Sequence, residues 1–253
     1  SSDLPNRKEY ALPETGSQPK RSGGFSGGAT ACGIRVSVEK RIFAVRPLTC
    51  GARRTMKESW KPGTMIYPLP AVLVGCGDAP DNWNLLTVAW TGTVCTAPPM
   101  CYVSVRPERH SHALIARTGE FTINLTTAAM ARAVDWCGVR SGRDYDKFRE
   151  TGLTPLRGAV VAAPALEESP VVVECRVRQI LPLGSHDMFL AEVVNVLVDD
   201  RYIDSATGRF DLERAGLVAY SHGEYFRLGE LIGHFGWSVR RRKIIVRERK
   251  GRR

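Results

Sequence analysis

The chain has 253 residues, of which 43% are hydrophobic and 25% charged, and it carries a net charge of +10 at pH 7. This composition is that of a globular protein and excludes collagen-like and low-complexity chains. The length allows one large domain or two small ones with a substantial core. No apolar run approaches the ~20 residues of a membrane-spanning helix, and the polar first residues show no secretory signal pattern.

The positive charge lies in the two tails. Residues 1–59 contain 11 Lys/Arg and 5 Asp/Glu, and residues 240–253 contain 9 Lys/Arg and 1 Glu. The 180 residues between them contain 16 basic and 20 acidic side chains, a net charge of −4. Basic tails bind nucleic acid or acidic membranes nonspecifically, but most are merely solvated. We therefore expect no specific nucleic-acid partner and no membrane span.

The seven cysteines are scattered, odd in number and without a C-x-x-C pair. This pattern predicts neither a structural zinc site nor a disulfide framework, and the sequence suggests no other metal site. Free thiols are typical of a reducing compartment, so we expect a cytoplasmic protein.

Residues 1–58 are rich in Gly, Ser, Pro and basic side chains, which predicts a disordered N-terminal extension. Met56 would suit a natural start, so this extension is a candidate for an over-long reading frame. We expect the folded domain over residues 59–239 and a basic C-terminal tail over 240–253. Gly75-Cys76-Gly77 opens like a dinucleotide fingerprint, but Pro80 occupies the third glycine position and no helix follows, which argues against a Rossmann unit.

The first half of the domain reads mostly as strands. A helix from Ser111 to Arg117 is predicted, with Ser111 as its N-cap and Gly119 as its end. A bend rich in Thr, Cys and Pro is predicted between the second and third strands. The predicted strands are Pro68–Gly75, Leu85–Trp90, Met100–Val105 and Phe121–Leu125.

In the second half, a helix is predicted from Thr126 to Trp136, ended by Gly138, and a helical turn from Tyr145 to Glu150. The predicted strands are Gly158–Pro164, Ser169–Leu181 and Met188–Val198. The last two are joined by the loop Pro182–Asp187, which is long enough to carry function. Many strands, few helices and no β-α alternation predict a mainly β fold, an antiparallel barrel with flanking helices.

Polar side chains gather at the ends of these strands. They are Asn84, Thr87, Thr93, Cys95, Arg109, Ser111 and Asn124. Hydroxyls and an arginine at the rim of a strand scaffold suit a flat, partly apolar ligand that bears a phosphate. A phosphate beside a helix N-terminus also gains from the free N–H groups there, which favours Arg109 and Ser111 as its ligands.

The order and spacing of several motifs resemble the flavin reductase-like proteins of the FMN-binding split-barrel fold, flavoredoxin-type members most closely. The resemblance extends from about Lys57 to about Val239. The motifs are N-x-x-T-x-A-W at Asn84–Trp90, Cys95 followed by Pro98-Pro99, V-S-V-R-P-x-R-x-S at Val103–Ser111, G-E-F-x-I-N-L at Gly119–Leu125, G-S-H-D at Gly184–Asp187, and L-G-E-L-I-G-H-F-G at Leu228–Gly236.

The resemblance implies an FMN site, with Cys95 and His186 close to the ring as the candidates for a catalytic role. It implies that FMN is bound by Asn84, Thr87, Val88, Ala89, Trp90, Cys95, Ser104, Val105, Arg109, Ser111 and Asn124. Ordinary structural roles stay open as alternatives to these binding roles. Arg109 could be solvated, Cys95 or His186 could be structural, and Asn124 could cap the following helix. The family commonly has G-D-H where this chain has G-S-H-D, which leaves the partner of the imidazole open.

The function that the resemblance implies is NAD(P)H-dependent reduction of flavin, with transfer of electrons to a downstream acceptor, by a homodimer. One alternative is a flavoredoxin-like FMN electron carrier without its own NAD(P)H site. A second is a non-enzymatic binding module with a basic tail. The choices between FMN and FAD, and between NADH and NADPH, stay open.

Overall fold

The computed structural model describes residues 57–239. The basic tail 240–253 lies outside the described residues, as does all of the expected extension except Lys57 and Glu58. Within the described part of the chain, no helix combines the length and the apolar character that crossing a membrane requires.

The described residues form short helices and many strands. The helices are α1 (His110–Thr118), α2 (Ala131–Val139) and α3 (Lys147–Thr151), with 3₁₀ turns at Ala128–Met130, Asp200–Tyr202 and Trp237–Val239. The strands are β1 (Leu69–Pro70), β2 (Val72–Cys76), β3 (Asn84–Val88), β4 (Thr91–Thr96), β5 (Pro99–Val105), β6 (Glu120–Leu125), β7 (Pro155–Arg157), β8 (Pro164–Leu166), β9 (Val171–Pro182), β10 (Asp187–Val198), β11 (Val218–Ser221) and β12 (Glu224–Arg227).

The main sheet of the described region is antiparallel and has the strand order β3-β2-β6-β9-β10-β5-β4. Strand β1 pairs with the hairpin β11–β12, and β7 pairs with β8. Strand β3, at one edge of the main sheet, and β5, which is next to the other edge strand, contribute to one hydrophobic cluster, so the sheet curls on itself. The mainly β, antiparallel barrel predicted from the sequence is confirmed.

Strand β2 separates two hydrophobic cores because its side chains alternate between the faces of the sheet. Val72 and Val74 point into the barrel, where they pack in one cluster with Phe121 and Phe189. Leu73 points outward into a second cluster that includes Val134 and Cys137 of α2. A strand buried on both faces reads as a continuous apolar run, which is what Val72–Cys76 shows.

The predicted bend after Trp90 is wrong for most of its length, since Thr91–Thr96 form β4. This strand pairs with β5 from Thr91 opposite Val103 to Thr96 opposite Pro99. Three threonines and a valine in six residues favour extended backbone. Only Ala97 and Pro98 are left for the turn of the hairpin.

The predicted strand Gly158–Pro164 is also wrong, because residues 158–163 form a loop that wraps a buried carboxylate. Glu174 of β9 is fully buried. It accepts hydrogen bonds from the backbone N–H groups of Ala159 and Val160 and from Nδ2 of Asn195. Since a buried charge requires such partners, the loop gives its N–H groups to Glu174 instead of to a neighbouring strand.

The helices differ from their predicted limits at their ends. Gly119 does end α1, with a left-handed φ of +68°. Gly138 does not end α2, which continues to Val139. A Cβ on Gly138 would lie 3.4 Å from the Cβ of Thr87, an ordinary van der Waals contact, so α2 packs against β3 here without requiring a glycine. The turn predicted at Tyr145–Glu150 is α3, whose N-cap, Asp146, accepts from the N–H groups of Phe148 and Arg149.

Candidate functional site

A cavity of about 300 Å³ lies where the ends of β3 and β5 meet α2 and the hairpin β11–β12. Its volume is at the lower end of the range that is typical of small-molecule sites. Eight of the residues predicted from the sequence to form the FMN site line it: Thr87, Val88, Ala89, Trp90, Ser104, Val105, Arg109 and His186. Side chains of Asp135, Tyr220 and Tyr225 complete the wall. The structure therefore brings most of the expected ring-binding residues together.

Trp90 and His186 form an aromatic edge of this cavity. Their ring centroids are 5.6 Å apart with an interplanar angle of 43°, and Trp90 is 42% exposed. The carbonyl of Trp90 accepts a hydrogen bond from the backbone N–H of Ser104 at 2.9 Å, which ties this corner to β5. Such an exposed aromatic surface is suited to contact with a flat ring.

The hydroxyl of Thr87 has a different partner from the one expected. It donates to the carbonyl of Val134 in α2. The hydroxyl proton is therefore engaged within the protein, where it attaches α2 to β3, and the place of Thr87 in a ligand site stays a prediction. Backbone of the same strand end still lines the cavity.

A basic cleft of about 520 Å³ continues from the cavity and shares Leu86, Trp90, Arg106 and Arg109 with it. The cleft is lined by the cations Arg106, Arg109, Arg140, Arg143 and Lys147. Among the described residues that line it, the one acid is Glu108, which forms an ion pair with Arg106 at 3.3 Å. The cleft therefore carries excess positive charge suited to an anion.

The N-terminus of α1 opens into this cleft through His110 and Ser111. Arg109 is the N-cap, and no side chain caps the helix. The free N–H groups and the dipole add to the attraction for an anion. The guanidinium of Arg109 donates to the carbonyl of Gly138, at 3.1 Å, in the last turn of α2.

Ser111 is not the N-cap that the sequence predicted. It is the second residue of α1, is buried, and accepts a hydrogen bond from Nδ2 of Asn84 at 2.7 Å. Both residues line the basic cleft. The pair connects the first residue of β3 to the first turn of α1, so it fixes the helix N-terminus relative to the sheet.

Asn124 and Cys95 lie apart from the cavity and the cleft. The amide of Asn124 is buried; it donates to the carbonyl of Leu73 and accepts from the N–H of Leu166, both at 2.9 Å. Asn124 therefore does not cap the following helix, which was the alternative reading. Its amide joins β2, β6 and β8 instead, and its contact with FMN stays a prediction. Cys95 is half-buried on β4 opposite Met100 and lines neither space.

The acid of the G-S-H-D motif has a partner that the sequence did not identify. Asp187 Oδ2 lies 2.8 Å from Nε2 of His112 in α1. The neighbouring His186 has its Nδ1 2.9 Å from Oγ of Ser185. Asp187, the acid that follows His186 in this chain, therefore binds His112. Ser185 orients the imidazole of His186 at the cavity.

Sequence reasoning missed the residues that come from α2, from the segment after it and from the C-terminal hairpin. Lys147, Arg140 and Arg143 gave no signal beyond charge, because only folding places them beside α1.

Tyr225 O–H lies 3.4 Å from a carboxylate oxygen of Asp135. Burial, reinforced by that carboxylate, raises the pKa of Tyr225 to about 12.

Within residues 57–239, no group of three or more His, Cys, Asp or Glu side chains is placed to hold a metal ion. His110 and His112, which flank Ser111, contact different parts of the protein: His110 lines the cleft, and His112 binds Asp187.

Comparison with known proteins agrees with this architecture. Residues 64–229 match the model of the flavin reductase like domain. The chain is similar to flavoredoxin of Desulfovibrio vulgaris (Miyazaki F), with 31% identity, a TM-score of 0.67 and coverage of 73% of this chain and 100% of that one. An FMN-binding protein from Thermus thermophilus with bound 1-cyclohex-2-enone gives 26% identity, a TM-score of 0.60 and coverage of 72% and 99%.

A third relative is the reductase component of a 4-nitrophenol 4-monooxygenase/4-nitrocatechol 2-monooxygenase from Rhodococcus opacus. It is 30% identical over 111 residues, which are 43% of this chain and 55% of that protein. The family model covers more than half of this chain, and the solved relatives share its barrel. The chain belongs to the flavin reductase-like family and has the FMN-binding split-barrel fold.

Proposed function

We propose that this protein binds FMN and reduces it with NAD(P)H, for electron transfer to a downstream acceptor. The observation that carries the proposal is the continuity of the cavity with the basic cleft through Arg106 and Arg109. A flat ring with a phosphate at the end of a short chain needs such a pair of spaces. The FMN-binding relative from Thermus thermophilus supports the same choice of ligand.

The residues of the cavity fit the ring. Trp90 and His186 offer aromatic surface on one side, and Tyr220 and Tyr225 of the hairpin lie on the wall of the same cavity. The phosphate would lie in the basic cleft at the N-terminus of α1, where Arg109 provides a guanidinium. Asn84 and Ser111 hold that helix end in place.

When bound, the flavin itself supplies the redox chemistry, namely hydride uptake and electron donation. The protein itself binds the flavin, orients it and shields it. His186 is held through Nδ1 by Ser185 at the cavity wall. We propose that this imidazole contacts the nicotinamide and orients it, which makes His186 the candidate for a catalytic role. Cys95 has no contact in the structure that supports one.

A flavoredoxin-like electron carrier is the second candidate, favoured by the 31% identity to flavoredoxin of Desulfovibrio vulgaris. Steady-state oxidation of NADH and NADPH by the purified holoprotein separates the two. Turnover above a control with free FMN alone supports the reductase. A rate equal to that control, for a protein that carries flavin, supports the carrier.

The ligand is tested by the visible spectrum of the purified full chain and by mass spectrometry of the molecule it releases on denaturation. Bound FMN is the expected result, and bound FAD would correct the choice of flavin. A colourless protein that takes up no flavin, but binds nucleic acid in a salt-dependent way, would instead support the binding-module alternative.

We also propose that the protein is a homodimer, because the segment 228–239 presents apolar side chains to solvent. Ile232 is 91% exposed, and Phe235 and Trp237 are also exposed. Several exposed large apolar side chains in one short segment are typical of an interface, and closed twofold assemblies are the commonest. Light scattering of the wild type and of Ile232→Glu/Phe235→Glu tests this, with a dimeric wild type and a monomeric variant expected. A cytoplasmic location stays a prediction from the free thiols.

A further inference from the structure

A third space, the distal pocket, opens beside the basic cleft. It has a volume of about 540 Å³ and lies between the loop that precedes β3 and the start of α3. It shares Asn84, His110, Gly142 and Arg143 with the cleft, and none of its lining residues with the ring cavity. The cavity, the cleft and the distal pocket therefore follow one another in a row.

The walls of the distal pocket carry aromatic rings, from Trp83, Tyr145 and Phe148. The indole Nε1 of Trp83 donates to the carbonyl of Ala162 at 3.1 Å, which holds that ring in place. Tyr145 packs edge-on against Trp136, with ring centroids 5.5 Å apart. Aromatic side chains that are held by contacts of this kind are suited to stack on a flat heterocycle.

The charge of the lining changes sign between the cleft and the distal pocket. Apart from His110, the charged side chains that line the described part of the pocket are Asp81, Asp144, Asp146 and Arg143. Asp146 is engaged as the N-cap of α3. Neither Asp81 nor Asp144 forms an ion pair with another described residue. The pocket therefore repels a phosphate and suits a neutral group.

The cleft, in contrast, has more positive charge than the phosphate of FMN uses. A phosphate monoester carries about two negative charges at neutral pH. Of the five cations that line the cleft, only Arg106 forms an ion pair with an acid within residues 57–239. The others are Arg109, Arg140, Arg143 and Lys147. A second phosphate-bearing ligand can therefore be accommodated, in charge, beside the flavin phosphate.

We infer that the distal pocket binds the adenosine of the nicotinamide nucleotide, and that Asp81 and Asp144 make the protein select NADH over NADPH. This inference rests on the proposed function and extends it to the choice of co-substrate. The cations of the cleft would take the pyrophosphate, and Trp83 and Tyr145 would take the adenine. NADPH carries a 2′-phosphate on this adenosine that NADH lacks, and the two unpaired carboxylates would repel it.

The test uses the FMN-loaded full chain and the double variant Asp81→Asn/Asp144→Asn. Glu167→Gln/Asp200→Asn is the matched control, because it removes two exposed carboxylates that line neither the cleft nor the distal pocket. Steady-state kinetics give kcat/KM for NADH and for NADPH. Calorimetry gives Kd for AMP and for adenosine 2′,5′-bisphosphate, two probes that differ only in the 2′-phosphate.

The wild type and the control are expected to prefer NADH by on the order of 10-fold or more, and to bind AMP more tightly than the bisphosphate. In the double variant, kcat/KM for NADPH and affinity for the bisphosphate should rise on the order of 10-fold, while the values for NADH and AMP stay within about twofold. Equal use of the two nucleotides by the wild type, or an unchanged preference in the double variant, overturns the inference.

A second arm tests the aromatic wall with Tyr145→Leu, since Tyr145 is 39% exposed and its loss leaves the core intact. This variant should bind AMP about 10-fold more weakly and FMN within about twofold of the wild type. Equal losses for AMP and FMN would overturn the inference. Release of FAD from the denatured protein would also overturn it, because the pocket would then hold the flavin's own adenosine.

The two arms also separate this inference from the proposed function. A protein that oxidises NADH and NADPH equally well would keep the proposed function and overturn the selection by Asp81 and Asp144. A protein that carries FMN and oxidises neither nucleotide would overturn the reductase. Binding of AMP that still depends on Tyr145 would then keep the distal pocket as a nucleotide site, and absence of AMP binding would overturn it.

Discussion

Nε2 of His112 and Oδ2 of Asp187 lie 2.8 Å apart and join the helix that opens the basic cleft to the strand that follows His186. The two side chains are only 16% and 19% exposed, and the ring of His112 also packs edge-on against Phe189. Arg109 and His112 belong to the N-terminal turn of α1, whereas His186 directly precedes β10. The pair therefore couples the basic cleft to the cavity.

Replacing Asp187 by Ala should destabilise the protein by about 1–3 kcal/mol, the usual effect of losing a partly buried hydrogen bond to a charged group. Urea unfolding measures the change, and hydrogen exchange should quicken in the loop Leu183–His186. Glu192→Ala is the control, because Glu192 lies on the same strand in a more exposed pair with Arg178 that should contribute less than 1 kcal/mol. Equal losses in the two variants would contradict this role for Asp187.

Arg109→Ala should weaken FMN binding by about 1–3 kcal/mol, because a charged hydrogen bond to the phosphate is lost. Titration of the flavin-free protein with FMN measures it. Arg117→Ala serves as control, since Arg117 lies at the other end of α1 and pairs with Asp78. Unchanged FMN affinity in Arg109→Ala would remove this residue from the site.

The sequence predicted the barrel and grouped the strand ends that line the cavity, because both follow from local pattern. The continuous apolar run of β2, the apolar alternation of β5 and β6 and the T-x-A-W corner at Trp90 carry their own signal. Lys147 carried none, since its contact with Cys137 and its place beside Arg109 arise only when α3 folds back on α2. Periodicity describes which residues are buried, but it does not say which buried group lacks a counter-charge.

The errors at Ser111, Asn124 and the loop 158–163 have a shared cause. The sequence predicted a local partner for each of them. That partner was a helix end for Ser111 and Asn124, and a neighbouring strand for the loop. In the structure each hydrogen bonds across the fold, to Asn84, to Leu73 and to Glu174 respectively. Long-range hydrogen bonds of buried polar groups are strong enough to override such local preferences.

His186→Gln should lower the rate of flavin reduction by NAD(P)H at least several-fold and leave FMN affinity within about twofold, because the imidazole contacts the nicotinamide side of the site in our proposal. Stopped-flow reduction of the bound flavin measures the rate, and the change in the flavin's own fluorescence on titration measures the affinity. Parallel loss of rate and affinity would show that His186 binds the flavin instead. His222→Gln is the control, as that histidine packs on Tyr67.

Asp78 should make the protein sensitive to acid. Its carboxylate forms two hydrogen bonds with the guanidinium of Arg117, at 2.9 and 3.0 Å, and one with Asn82 at 2.6 Å. These contacts, that with Arg117 above all, lower the pKa of Asp78 to about 2 from its ordinary value of 3.8. A carboxyl whose pKa is lower in the folded state stabilises the protein above the unfolded value and loses this contribution as the pH falls towards the folded one.

The variant Asp78→Asn should therefore be less stable than the wild type at pH 6, and the difference should shrink between pH 4 and pH 2, on the range set by the two pKa values. Thermal unfolding at a series of pH values measures this, with Asp81→Asn as control. Because Asp78 is exposed, added salt should reduce the difference at pH 6 through screening of its pair with Arg117. Stability curves that stay parallel down to pH 2 would show that Arg117 does not hold the carboxylate in solution.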